Sequence, residues 1–263
     1  MRFIIVLHAA IWPLFVSAQD MEVDLELFLA VDVSRSMSPE ELDIQRRGYA
    51  EALTSPEVTA ALQSGPLGRI ALTYVEWAEN HAQRVIVPWT LIEKTEDAAA
   101  IAARLTASFD PSLRRTSISG ALDHAAKAFD GNGFAGLRQV IDISGDGPNN
   151  QGRPVLEARS DVLGKGITIN GLPLMTEDAF SNIWGIPDLD VYYAECVIGG
   201  VGAFVIPVHG WAQFPDAVRR KLVLEIADLT IAPRVFLAQA TPEYDCMVGE
   251  KMWRQNRSYF DIP

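Results

Sequence analysis

The chain alternates short, nearly unbroken apolar runs with longer stretches of helical spacing, and this alternation constrains its fold more than any other feature. Residues 25–31 form the first run. Ser38-Pro39-Glu40-Glu41 then opens a helix, with Ser38 as N-cap and Pro39 in the first turn, whose inward face is Leu42, Gln45, Tyr49 and Leu53 beside Ala52. Residues 69–77 and 84–89, parted by the polar turn Glu79-Asn80-His81, predict a hairpin. Helices are predicted over 96–109, 119–129, 154–163 and 214–227, the third closed by Gly164 and Gly166. Strands are predicted over 139–143, 167–172 and 203–208, and a strand buried on both faces reads as such a continuous apolar run. The expectation is an α/β fold, a doubly wound, mostly parallel central sheet with helices on both faces and one antiparallel edge hairpin.

The ends of this pattern are less regular. Residues 1–18 have the form of an export signal: Arg2, an apolar core over 3–15, and the small-residue site Val16-Ser17-Ala18. The remaining 19–263 are expected to form one domain, with an insertion around 176–200 and a C-terminal extension from about 228, in which 234–238 is strand-like. Outside the leader no stretch is long and apolar enough to span a bilayer, so no stable membrane span is expected after cleavage, and the product is expected to be periplasmic or secreted. The formal charge is −12, from 34 Asp+Glu against 22 Lys+Arg. That acidity argues against nucleic acid and anionic membranes as partners. Arg219-Arg220-Lys221 reads as a solvated basic face. The two cysteines, Cys196 and Cys246, are expected to pair in an oxidising compartment.

Chemistry concentrates where the first strand ends, in Asp32-Val33-Ser34-Arg35-Ser36. One carboxylate and two hydroxyls within five residues make a hard-oxygen set suited to Mg²⁺, Mn²⁺ or Ca²⁺ rather than zinc. Ligands of such sheets gather at the carboxyl ends of strands, and Asp146 sits at another such end. A further hydroxyl, Thr116, lies in the loop Arg115-Thr116-Ser117-Ile118-Ser119-Gly120 leading into a helix. This ordered set resembles a von Willebrand factor A domain with a metal-ion-dependent adhesion site. Asp32, Ser34 and Ser36 match the Asp-x-Ser-x-Ser element, Thr116 the distant threonine and Asp146 the later aspartate. Many members carry that aspartate one residue nearer the strand, which leaves Asp142 as the alternative. Alternation along the strand points Asp142 into the interior, which favours Asp146. Asn149 and Asn150 read as loop residues near the site and not as ligands.

The resemblance implies a bound divalent cation, Mg²⁺ first with Mn²⁺ or Ca²⁺ as alternatives, and a protein partner that supplies Glu or Asp to it. The segments Gly145-Asp146-Gly147-Pro148-Asn149-Asn150, Val87-Pro88-Trp89-Thr90, Ile169-Asn170-Gly171-Leu172-Pro173 and Cys196-Val197-Ile198-Gly199-Gly200 are similar to a group of secreted bacterial von Willebrand A-like proteins of unassigned function. The competing readings are a metal-dependent hydrolase and a structural envelope protein with a vestigial site. Against an enzyme, His81, His124 and His209 have no partner at catalytic spacing, and neither a Gly-x-Ser-x-Gly elbow nor a phosphate loop occurs.

Overall fold

The computed structural model describes residues 19–107, 113, 115–176, 185–228 and 244–260. The expected leader and the strand-like run at 234–238 lie outside the described residues. Strands β2 (Leu25–Asp32), β3 (Ile70–Trp77), β4 (Gln83–Ile92), β6 (Gln139–Gly145) and β7 (Thr168–Pro173) form one sheet in the order β4-β3-β2-β6-β7. Only the β3–β4 pair is antiparallel, and it lies at the edge. Two strands the sequence does not announce, β1 (Met21–Val23) and β5 (Phe134–Gly136), pair in parallel as a separate small sheet.

The two faces of the sheet are covered by different helices, as the continuous apolar runs require. Leu25, Leu27, Leu29 and Val31 of β2 pack with α1 (Pro39–Leu53), α2 (Pro56–Ser64), α3 (Thr95–Ala107) and α7 (Phe214–Ile226). Phe28 and Ala30 point the other way, into a cluster with α4 (Ile118–Ala128), α5 (Val155–Gly164) and α6 (Leu189–Tyr192). Helix α6 runs on into a π-helical turn, Tyr193–Val197, and α8 (Val248–Phe260) is the last of the described elements. Ser38 caps α1 as expected: the Glu41 N–H donates to its Oγ, while the Ser38 N–H donates to Glu41 Oε2 at 2.7 Å.

Two expectations need correcting. Residues 203–208 follow β7 as an outer margin but pair with it as isolated bridges at Val205 and Val208 and not as a continuous strand. Gly171 N–H donates to Phe204 O and Ile206 N–H to Gly171 O; the next bond, to Ile206 O, would need an N–H that Pro173 lacks. The ladder resumes one step later, where Val208 N–H donates to Pro173 O.

The basic run Arg219-Arg220-Lys221 also departs from expectation. Lys221 is not solvated but fully buried, because helical spacing places it with Val218, Leu222 and Glu225 on the inward face of α7. Its Nζ stands 2.7 Å from Asp142 Oδ1 and 2.5 Å from Glu225 Oε1, and Asn170 Nδ2 donates to the same Glu225 oxygen. Burial raises Asp142 to about 7, against the opposing pull of Lys221 and with a further push from Glu225.

Near the opposite, amino-terminal end of the parallel strands, Glu26 is also buried. Its carboxylate accepts from Asn132 Nδ2, the Gly136 N–H and Gln139 Nε2, which anchors β5 to β2. Gly136 is fixed by this approach, since a Cβ there would stand 2.9 Å from Glu26 Cγ. Glu26→Ala should therefore lower stability by about 1–3 kcal/mol, because three donors lose their acceptor. Urea unfolding of the variant against Glu26→Gln, which keeps one acceptor oxygen, measures it.

Candidate metal centre

Asp32 closes β2 at the carboxyl end of the sheet, where the registers Val31–Ser144 and Asp32–Trp77 place it between the ends of β6 and β3. It is fully buried. Its Oδ1 accepts the Ser34 N–H at 2.7 Å, which folds the chain back so that Ser34 Oγ and Ser36 Oγ come within 3.0 Å of each other. Gln45 of α1 donates from Nε2 to the Asp32 carbonyl at 3.1 Å and fixes the turn from behind.

The other carboxylate oxygen, Oδ2, is buried with no hydrogen-bond partner among the described residues. The same is true of the Tyr193 hydroxyl, and a Cβ at Gly145 would stand 2.9 Å from both oxygens. Glycine at 145 thus lets β6 end directly against Asp32 and Tyr193. Burial raises Asp32 well above the ordinary carboxylate range, and the neighbouring Asp146 carboxylate adds to this; the backbone N–H groups of Ser34 and Asp146 oppose them. A cation beside the carboxylate would offset both raising causes.

Thr116 is held by backbone on three sides. Leu113 N–H donates to Val33 O, Ser117 N–H to Ala78 O, and Asn150 N–H to Thr116 O, while Thr116 N–H donates to Asn150 Oδ1 at 3.1 Å. Asn149, one residue earlier, accepts the Ser119 N–H on its Oδ1 at 3.0 Å and so caps the first turn of α4. Ser117 Oγ donates to Gln151 O at 2.9 Å and accepts the Gly120 N–H. The loop after Asp146 therefore clasps the loop that carries Thr116. Asn149 and Asn150, expected as plain loop residues near the site, thus hold the two loops together; the only signal was their position directly after Asp146-Gly147-Pro148, which acquires meaning once the partner loop is placed.

Asp32, Ser34 and Ser36 share one turn, and Asp146, 6 % exposed, lies within electrostatic reach of Asp32. Thr116 is tied to the Asp146 loop through Asn150. Asp142 is not part of this group. It pairs in register with Leu29, three residues or about 10 Å down the strand from Asp32, and faces Lys221 in the other layer. The two cysteines are bonded, with Cα atoms 5.5 Å apart, joining the buried π-helical turn to the segment before α8.

A buried, unpartnered carboxylate oxygen beside two converging hydroxyls fits a hard divalent cation. Among the described residues no cluster of three His, Cys, Asp or Glu is placed to hold a metal, so any ion here would depend on the serine and threonine oxygens.

The mostly parallel sheet with one antiparallel edge pair, flanked by helices, is the fold of von Willebrand factor A domains. Solved structures with this fold include proximal thread matrix protein 1 of the mussel byssus, at 16 % identity and TM-score 0.58 over 80 % of this chain and 49 % of that one. The pilus adhesin SpaC of Lactobacillus rhamnosus GG matches at 12 % identity and TM-score 0.53, over 80 % of this chain and 31 % of that one. A von Willebrand factor type A protein of Catenulispora acidiphila matches at 14 % and 0.50, over 77 % and 42 %. The chain thus spans about half the length of the mussel protein, or less of the others, and the likeness is one of fold. One structure of the mussel protein has a zinc-occupied metal-ion-dependent adhesion motif. The chain belongs to the family described as protein of unknown function (DUF1194), whose model matches residues 22–230. No protein of curated function matches it.

Proposed function

We propose that this chain is a periplasmic or secreted protein-binding module in which Ser34, Ser36 and Thr116, with Asp32 and Asp146, hold a divalent cation, Mg²⁺ first among the candidates. The observation that carries the reading is the buried Asp32 carboxylate, with one oxygen unpartnered, at the junction of three loops that converge on the carboxyl end of the sheet. The pilus adhesin among the proteins of like fold, and the zinc-occupied motif of the mussel protein, support it.

The residues divide the work. Ser34 and Ser36 offer neutral oxygens, Gln45 and the Ser34 N–H orient the turn, and Asn150 keeps Thr116 in register with the Asp146 loop. A donor set rich in hydroxyls would leave a bound ion with much of its positive charge, and such an ion would attract a Glu or Asp from a partner protein. Calorimetric titration of the protein with Mg²⁺ and Mn²⁺ tests the first half. Uptake of one equivalent is expected, lost in Ser34→Ala/Ser36→Ala; absence of heat and of any thermal shift with either ion would remove the metal. Recovery of partners on the immobilised protein with and without chelator tests the second.

A further inference from the structure

Helix α8 lies beyond residues 22–230, yet it is seated on the loops that present Thr116 and Asp146. Gly249 comes so close to the Asp146 loop that a Cβ there would stand 2.2 Å from Asn149 O. Glu250 Oε1 accepts from Asn149 Nδ2 at 2.7 Å, and the same amide's Oδ1 caps α4. The Trp253 ring carries the Arg115 guanidinium 4.9 Å from its centroid. Arg115 adopts a left-handed backbone, φ 66°, immediately before Thr116, a conformation that a non-glycine residue keeps only when its surroundings impose it.

The amino-terminal side of α8 is fixed independently. Cys246, two residues before it, is bonded to Cys196, which is fully buried in the same π-helical turn as Tyr193 beneath Asp32. Tyr244 donates to Asp188 at 3.0 Å, and Lys251 pairs with Asp245. These polar contacts are exposed and weak, and Tyr244 and Val248 pack at the margin of the core, so the disulfide is the covalent tether of this end. Cys246 itself is only partly buried, in contrast to Cys196.

We infer that α8 is a disulfide-tethered clamp that holds the Thr116 and Asp146 loops in their metal-binding arrangement, and that reduction of Cys196–Cys246 releases it and weakens the site. The inference rests on the reading of the site as a metal centre. Glu250 and Trp253 act in it as positioning residues, through Asn149 and Arg115. A dithiol reductant delivers the two electrons by thiol–disulfide exchange: its own sulfurs join as a disulfide, and Cys196 and Cys246 each become a thiol.

Hydrogen exchange on the metal-free protein, before and after treatment with a dithiol, tests the clamp directly. Amides of 115–120 and 147–151 are expected to exchange about tenfold faster after reduction, with β2 and β6 unchanged. The affinity for Mn²⁺ is expected to fall about tenfold. In the oxidised protein Glu250→Ala should reproduce part of the loop exchange, and Glu250→Gln, which keeps an acceptor for Asn149, should restore protection. Equal loop exchange in the two redox states overturns the clamp, as does equal loss of protection in β2 and β6, which would mean general unfolding. If the oxidised protein takes up no Mn²⁺ the metal reading fails, and loop exchange alone still decides whether α8 holds these loops.

Discussion

Lys221→Met should lower stability by about 3–5 kcal/mol at pH 8, because it strands two buried carboxylates without their cation. For a domain of this size that is a fall of roughly 10 °C in Tm. The pH dependence follows from Asp142, held at about 7 chiefly by burial against an ordinary value of 3.8. A carboxyl raised on folding keeps a proton that the unfolded chain releases, so its contribution is complete below 3.8 and is lost as pH rises through 7. The wild type should therefore weaken between pH 4 and 7 from this group. Without Lys221 the carboxyl is raised further, and the decline continues to higher pH. Asp142→Asn removes the titration and should be more stable than wild type at pH 8, though not at pH 4. Urea midpoints of the three proteins at several pH values measure all of this; a Lys221→Met variant within 1 kcal/mol of wild type at pH 8 would show that the buried pair contributes little.

The second large effect is expected at Asp32, and it has opposite signs with and without metal. Asp32→Asn keeps an oxygen for the Ser34 N–H but removes a charge disfavoured first by burial and then by Asp146. Because that pKa is raised, the wild type's contribution is again complete below 3.8 and lost with rising pH. At neutral pH the metal-free variant should therefore be the more stable of the two. Metal reverses the order. Affinity in the variant should fall about 100-fold, so a concentration 100 times the wild-type Kd stabilises the wild type by about 2.7 kcal/mol and the variant far less. Thermal unfolding of both proteins with chelator and with saturating Mn²⁺ checks the crossover, and the same order under both conditions would count against Asp32 as part of the centre.

What the sequence showed of this arrangement depended on how local each signal was. Residues 25–31 announce a buried strand by themselves, and Asp32 inherits its place from that strand, so fold and principal carboxylate were legible together. Thr116 and Asp146 were legible through the resemblance and through their neighbouring elements. Lys221 was not, because three adjacent basic residues look solvated until the angular position of each on α7 is known. Tyr193 was hidden for another reason. Leu189, Tyr192, Tyr193, Cys196 and Val197 do fall on one helical face, but the eleven residues between Pro187 and Gly199 give too short a window to stand out. Strands β1 and β5 have three residues each, below what any periodicity can reveal, and Asn149 and Asn150 act only across loops distant in sequence.

The interrupted ladder at Pro173 has a counterpart on its outer side. Along 203–208 the N–H groups of Ile206 and Val208 turn inward to β7, which leaves Val205 and Pro207 facing out, and proline has nothing to donate. The opposite margin, β4, carries Pro88 beside a register shift. Neither side of the sheet is a good template for a strand from another molecule. Strand addition between copies is therefore disfavoured at both of these margins.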